Sequence, residues 1–272
     1  MRDSPTLSQP PASEGGLPLD DPLLRAAELD LERLAAHWAP QAARRAMTAE
    51  QMRGADARAQ RLGVAGSELM EQAGFAVAAA ARATLRTYER PVDGLVLLLA
   101  GPGNNGGDAL VAARHLAAAG VRCVVVLVST AETPQTRDAR LNWERLEGLP
   151  DVDRMHAATA HEVAIFASGI ERAALVVDGL LGTGVRGPLR EPIRAAVDLC
   201  LRARRASVPV LAIDTPTAID LSSGQPSDPA VAANVTVTFH RPKEGLLARR
   251  GSRYAGRVLV APIGIPFAAD PT

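Results

Sequence analysis

Aromatic residues are scarce, with two Trp, two Tyr and four Phe in 272 residues. Together with abundant Ala and Arg, this is the composition of a GC-rich genome and carries no functional clue. Cysteine is nearly absent. Cys123 and Cys200 each lie within an apolar stretch, without disulfide or metal-ligand spacing, so both are expected to be buried packing residues. No apolar run reaches the roughly 18 residues of a membrane helix. The opening MRDSPTLSQPP lacks the pattern of a signal peptide, so a cytoplasmic protein without a membrane partner is expected. Neither sign of charge dominates. Lys+Arg and Asp+Glu are both 30, which argues against a general nucleic-acid or anionic-membrane surface. No Gly-Lys-Ser/Thr follows the glycine-rich turn, which excludes a P-loop. There is no Gly-x-Ser-x-Gly elbow, and His161-Glu162 lacks the second histidine of a zinc helix. His37, His115, His156 and His240 are scattered and are expected on the surface or on helix faces.

What is present is a chain 47% hydrophobic and 22% charged, enough for a sizeable core in one globular domain plus a tail. Residues 1–20 are rich in Pro, Ser and Gly and are expected to be disordered. Residues 21–46 carry Leu23, Leu24, Leu29, Leu31 and Leu34 at roughly helical spacing, closed by Pro40. They are expected to form a helix that packs on the domain or on a partner. Thr48 and Gln51 form a capping-box pattern ahead of a helix to about Arg61. Ser67 is expected to cap the next helix, whose buried face is Leu69, Met70, Ala73, Val77 and Ala81. Gly74 within it either permits a close backbone approach or is merely tolerated.

Strands and helices then alternate. Apolar runs predict strands over 95–100, 121–128, 152–155, 174–178, 210–214, 235–239 and 256–261. Helices are predicted near 137–147, 160–167 and 188–203. This order implies an α/β fold with a mostly parallel central sheet covered on both faces.

The central stretch is LVLLLAGPGNNGGDALVAARHL, residues 95–116. A buried strand gives way to Gly101-Pro102-Gly103, then to Asn104-Asn105-Gly106-Gly107-Asp108, then to helical spacing. Such a turn presents unpaired N–H groups and the positive end of a helix dipole, a place that favours an anion. The Gly-x-Gly-x-x-Gly spacing matches the dinucleotide fingerprint, but that match alone is also what a tight turn before a helix looks like. An ordinary dinucleotide fold places an acid at the end of its second strand for the ribose. Here that strand ends in Ser129-Thr130, which counts against an ordinary dehydrogenase. Asp108 within the turn would repel phosphate unless a cation sat nearby.

Ligands of such sheets bind beyond the carboxyl ends of the strands. Three ends are chemically loaded. They are the stretch from Gly103 to Asp108, then Asp178 with Gly182-Thr183-Gly184, and Asp214-Thr215-Pro216-Thr217. Either Asp178 or Asp214 alone reads as a structural cap. Three loaded ends together point to a site, and oxygen ligands without His or Cys suit a hard cation.

On MTAEQMRGAD, LMEQAG, GPGNNGGDALVAARHL, VVDGLLGTGVRGPL, IDTPTAID, VTVTFHRPKEGLL and YAGRVLVAPIGIP, residues of about 47–267 resemble the NAD(P)H-hydrate epimerase family, the YjeF N-terminal domain. The resemblance implies a Rossmann-like three-layer αβα sandwich, a homodimer, and interconversion of the R and S forms of hydrated NADH or NADPH. A separate dehydratase would complete this nucleotide repair. It also implies one potassium ion held by Asn105, Asp178 and Thr217. Substrate would contact Asn104, Asn105, Gly106, Gly107, Asp108, Gly182, Thr183, Gly184, Val185, Arg186, Gly187, Pro188 and Asp214, with Asp214 as the catalytic acid or base. Lys243 is a second candidate, for charge stabilisation, although a Pro-Lys-Glu-Gly lysine is expected at the surface.

The chain departs from the family where Thr217-Ala218 replaces the usual Ser-Gly. Ala109 stands where Gly is common, and Gln72 where Asn is frequent. These departures motivate an alternative, a catalytically weakened nucleotide-binding or protein-interaction module of the same fold.

Overall fold

A computed structural model describes residues 16–91, 94–182 and 188–271. The centre is a seven-stranded, wholly parallel sheet in the order β3-β2-β1-β4-β5-β6-β7. Its strands are β1 (Val96–Ala100), β2 (Cys123–Val128), β3 (Val152–Ala157), β4 (Leu175–Gly179), β5 (Val210–Ile213), β6 (Val235–Phe239) and β7 (Arg257–Ala261). All seven predicted strands are present. Every residue of β1, β4, β5 and β6 is buried. This double-sided burial is why these segments are continuous apolar runs.

Alternate side chains of the strands feed two cores. Val96, Leu98 and Ala100 of β1 join one core with α4 (Ala49–Arg61), α5 (Gly66–Thr87) and α6 (Asn104–Ala118). Leu97 and Leu99 join another core with α8 (Ala160–Ile165) and α9 (Ile193–Arg205). Helix α7 (Arg137–Arg145) lies on the first face, where Trp143 enters the core. The result is the three-layer sandwich.

Capping chemistry sets several helix starts. Thr48 Oγ1 accepts from the Gln51 N–H, and the Gln51 side chain accepts from the Thr48 N–H, closing the expected capping box. Ser67 does not cap α5. The helix already begins at Gly66 behind Ala65, without a side-chain cap. Gly74 does permit a close approach, since a Cβ there would fall 2.3 Å from Val111 Cβ on α6.

Residues 21–46 form three short helices rather than one: α1 (Pro22–Arg25), α2 (Leu31–His37) and α3 (Ala39–Ala42). Asp21 and Asp30 each cap a new start, and Pro40 lies inside the first turn of α3. Leu24, Leu29, Leu31, Leu34 and Trp38 are buried in the first core, so this segment packs on the domain. Arg82 of α5 ties it down by donating to the carbonyls of Leu24, Arg25 and Ala26. Most of the tail predicted over residues 1–20 lies outside the described residues. Leu17, at its end, is buried, and its N–H donates to Gln72 Oε1 at 2.7 Å. Both cysteines are buried and free. Among the described residues no helix is long and apolar enough to cross a membrane.

Candidate active site

The strand order reverses between β1 and β4, and a crevice of about 800 Å3 opens at their carboxyl ends. One wall is the β1–α6 turn. Helix α6 begins at Asn104 with Gly103 as its N-cap, so Asn104 to Asp108 is the first helical turn and not a preceding loop. Gly106 is pressed against the chain. A Cβ there would fall 1.9 Å from the Gly101 carbonyl oxygen, so only glycine lets the helix start so close to the strand end.

Asp108 is half-buried, one turn into α6, and lines the crevice. Burial, reinforced by the carboxylates of Asp214 and Asp56, pushes its pKa well above the ordinary value. That shift disfavours the charged form of Asp108 and weakens the repulsion of phosphate anticipated from the sequence.

Asp214 directly follows β5 with φ +60°, a left-handed conformation that Asp enters more readily than most residues. Its Oδ1 accepts from Thr238 Oγ1 at 2.9 Å and lies 3.6 Å from Lys243 Nζ. Its Oδ2 has no hydrogen bond among the described residues.

Lys243 is not at the surface. It is wholly buried and donates to Thr238 Oγ1 at 3.0 Å, to the Phe239 carbonyl at 2.7 Å and to the Arg241 carbonyl at 3.0 Å. Burial lowers its pKa, while Asp214 opposes the shift. The loop after β6 curls around the ammonium, and no local periodicity announces that. His240 is likewise buried, against expectation, and contacts Asp270 at 2.7 Å.

Asp178, on β4, has no solvent exposure. Its carboxylate accepts from Thr217 N at 2.8 Å, Thr217 Oγ1 at 2.7 Å and Leu180 N at 3.2 Å. Burial nevertheless pushes its pKa up to about 6, against the lowering effect of those bonds. Thr217 Oγ1 also accepts from Leu181 N at 3.1 Å. Asn105 stands against the same segment, since a Cβ on Gly182 would lie 3.3 Å from its Oδ1. Asn105, Asp178 and Thr217 thus gather around residues 178–182. Gly182 lines the crevice, and Pro188 lines a smaller neighbouring cavity. Thr183, Gly184, Val185, Arg186 and Gly187 lie outside the described residues.

Two further parts of the wall carry no ligand-binding motif in the sequence. Arg53 and Asp56 come from α4. Gln135, Thr136 and Arg137 come from the start of α7, where Thr136 makes no side-chain cap and its buried Oγ1 has no partner among the described residues. Crowding of Ser, Thr, Pro and Gln before an amphipathic helix was the available signal. The remaining histidines stay outside the site. His115, for instance, is held by Glu71 at 2.7 Å.

Residues 66–245, more than half of the chain, match the family described as YjeF-related protein N-terminus. The chain belongs to this family. It is 39% identical to an NAD(P)H-hydrate epimerase of Cenarchaeum symbiosum over 74% of this chain and 87% of that one. It is 40% identical to a bifunctional NAD(P)H-hydrate repair enzyme Nnr of Pyrobaculum aerophilum, over 82% of this chain but 42% of the relative. The chain thus spans about two fifths of that bifunctional relative. A crystal structure of a yeast protein superposes with a TM-score of 0.64 and 26% identity, covering 78% of this chain and 84% of the other. The Rossmann-like sandwich is the architecture of this family member.

Proposed function

We propose that this chain interconverts the R and S forms of hydrated NADH and NADPH. The observation that carries the reading is the pairing of Asp108 and Asp214 in one crevice, in different surroundings. Inverting the hydrated ring carbon requires a bond there to break and re-form on the other face. One group must take a proton and another must give one. Two carboxyls whose surroundings differ in this way divide the roles. Asp108, whose charged form burial disfavours, is the donor. Asp214, with Lys243 and Thr238 at one oxygen and the other oxygen without a hydrogen bond among the described residues, is the acceptor. The first N–H groups of α6, at Asn104, Asn105 and Gly106, bind the diphosphate. Gly107 N is already committed to the Gly103 carbonyl at 3.1 Å.

The residues also fit the potassium ion of the resemblance. Asn105 is buried with an amide nitrogen that has no partner among the described residues, and exchange of its amide atoms would present an oxygen there. Carboxylate, amide and hydroxyl oxygens are the donors of a hard cation. Asn105, Asp178 and Thr217 would hold it. It would supply fixed positive charge beside a buried carboxylate and the substrate phosphates. The proposal extends to a homodimer, a cytoplasmic setting and a separate dehydratase acting on the S form. The buried Lys243 ammonium 3.6 Å from Oδ1 of Asp214, which lines the crevice, weighs against a module that has lost catalysis.

The test supplies R hydrate with a dehydratase that accepts only S. The protein should drain the R pool well above the spontaneous rate, and Asp214→Asn should abolish the gain. Equal rates with and without protein reject the reaction.

A further inference from the structure

A second cavity of about 330 Å3 lies beside the crevice, above the carboxyl end of β2. The two share Pro102, Gln135 and Leu181 as walls. Gln135 N donates to the Pro102 carbonyl at 2.8 Å, which fixes the ridge between them. A ligand whose reacting ring lies at Asp108 and Asp214 would cross this ridge next to the first turns of α6 and α7. Both helices begin there without a side-chain cap, and the buried Thr136 Oγ1 has no partner among the described residues.

The chemistry of the second cavity is uneven. Leu181, Leu189, Pro192 and Ile193 give it an apolar side suited to a flat base. Ser129 and Thr130 stand at the end of β2, where a dinucleotide fold that selects a free ribose 2′-hydroxyl places a carboxylate. Ser129 Oγ accepts from Ala131 N at 3.0 Å, which leaves its proton to donate. Arg190 lines the same cavity, is exposed, and its guanidinium has no hydrogen bond or ion pair among the described residues. The one carboxylate of the lining, Glu191, is engaged by Ala195 N at 3.1 Å, in the first turn of α9. Glu132, further along the loop, is not part of the lining.

We infer that this cavity seats the adenosine half of the dinucleotide, and that Ser129, Thr130 and Arg190 favour a 2′-phosphate over a free 2′-hydroxyl. The inference rests on the dinucleotide reading above and names which dinucleotide the site prefers. A free guanidinium and two hydroxyls give a phosphate several donors, one of them charge-assisted, while the one carboxylate of the lining, Glu191, is turned to the N-terminal turn of α9 rather than standing at the end of β2.

The test is calorimetric titration of the full chain with NADP+ and with NAD+ as probes. NADP+ should bind about tenfold more tightly, as a charge-assisted contact of ordinary strength provides. Arg190→Ala should bring the two affinities to within about twofold, and Arg190→Lys should restore part of the difference. Arg190 is exposed and has no side-chain partner among the described residues, so neither variant threatens the fold. Equal affinities in the unaltered chain overturn the assignment. So does a preference untouched in Arg190→Ala, or the failure of NADP+ to bind. The coupled assay separates the two readings. A preference lost in Arg190→Ala, without any epimerisation, keeps the cavity and rejects the reaction. Epimerisation of both hydrates at equal kcat/KM, unchanged in Arg190→Ala, keeps the reaction and rejects the cavity.

Discussion

Ala218 has φ +76°, a conformation that costs a residue with a Cβ about 1 kcal/mol or more. Its neighbour Thr217 is locked onto Asp178, so the loop cannot relax without breaking those bonds. Ala218→Gly should therefore stabilise the free protein by up to about 1 kcal/mol, after the entropy that glycine returns to the unfolded chain. Urea unfolding would show it, and a loss of stability would mean that the loop has adapted to alanine. At His240 the sign is set by burial. Burial lowers its pKa to about 4, with Arg44 also opposing charge, while Asp270 pulls the other way. The fold therefore holds it neutral. The unfolded chain takes up the proton below 6.5, so stability is lost as pH falls from 6.5 towards 4, by about 3 kcal/mol in all. His240→Asn tolerates the φ of +67° at this position and should flatten that window. Glu71, lowered to about 2 by its bonds to His115 and Arg114 against the effect of burial, acts only at lower pH. Asp178 and Asp214 were legible as site candidates because a carboxylate ending an apolar strand is anomalous. Lys243 was not, because its partners are mostly carbonyls of a loop whose path no residue pattern encodes.

At the scale of elements, the strands were legible because burial on both faces makes their sequences continuous and apolar. Helix ends were less so. The helix predicted from residue 188 begins at Ile193, after Pro192, and residues 21–46 break where Asp21 and Asp30 offer caps. The N-terminal helices belong to the fold energetically. Removing residues 1–40 would uncover the surface that receives Leu24, Leu29, Leu31, Leu34 and Trp38. At about 1.5–3 kcal/mol per buried large apolar side chain, the loss rivals the whole stability of a domain. We expect that truncation to aggregate, whereas removal of residues 1–15 should leave the melting temperature within about 1 °C. Soluble, monodisperse protein lacking residues 1–40 would reject the first expectation. The C-terminal segment is a second clasp. Asp270 accepts from Arg241 Nη1 through both oxygens, at 3.0 and 2.9 Å, and also meets Arg44 and His240. Asp270→Ala removes the carboxylate facing a buried guanidinium and should cost about 3 kcal/mol. Because the carbonyls of Phe239 and Arg241 hold Lys243, epimerase kcat should fall as well, and a variant of unchanged stability and kcat would refute the link.

For the whole molecule, the crevice is closed by parts distant in sequence. Asp56 comes from α4, Asp108 from α6, Thr136 from the start of α7, Gly182 from the loop after β4 and Asp214 from the end of β5. The unfolded chain has no such site, so ligands that fill it must stabilise the fold. A dinucleotide at 100 times its Kd should add about 2.7 kcal/mol. At 2–4 °C per kcal/mol, that is a rise of about 5–10 °C in the melting temperature of a chain this size. Potassium is tested by the same measurement without turnover. Asp178 lies wholly buried with three hydrogen bonds but no compensating cation among the described residues, and burial already disfavours its charge. A cation held with Asn105 and Thr217 would recover part of that cost. Replacing choline by potassium at constant ionic strength should therefore raise the melting temperature, and Asp178→Asn should remove the rise while the dinucleotide still binds. A shift in potassium no larger than in choline, or one that survives in Asp178→Asn, would place the ion elsewhere or nowhere, and would leave Asp178 as a strut for the Thr217 loop.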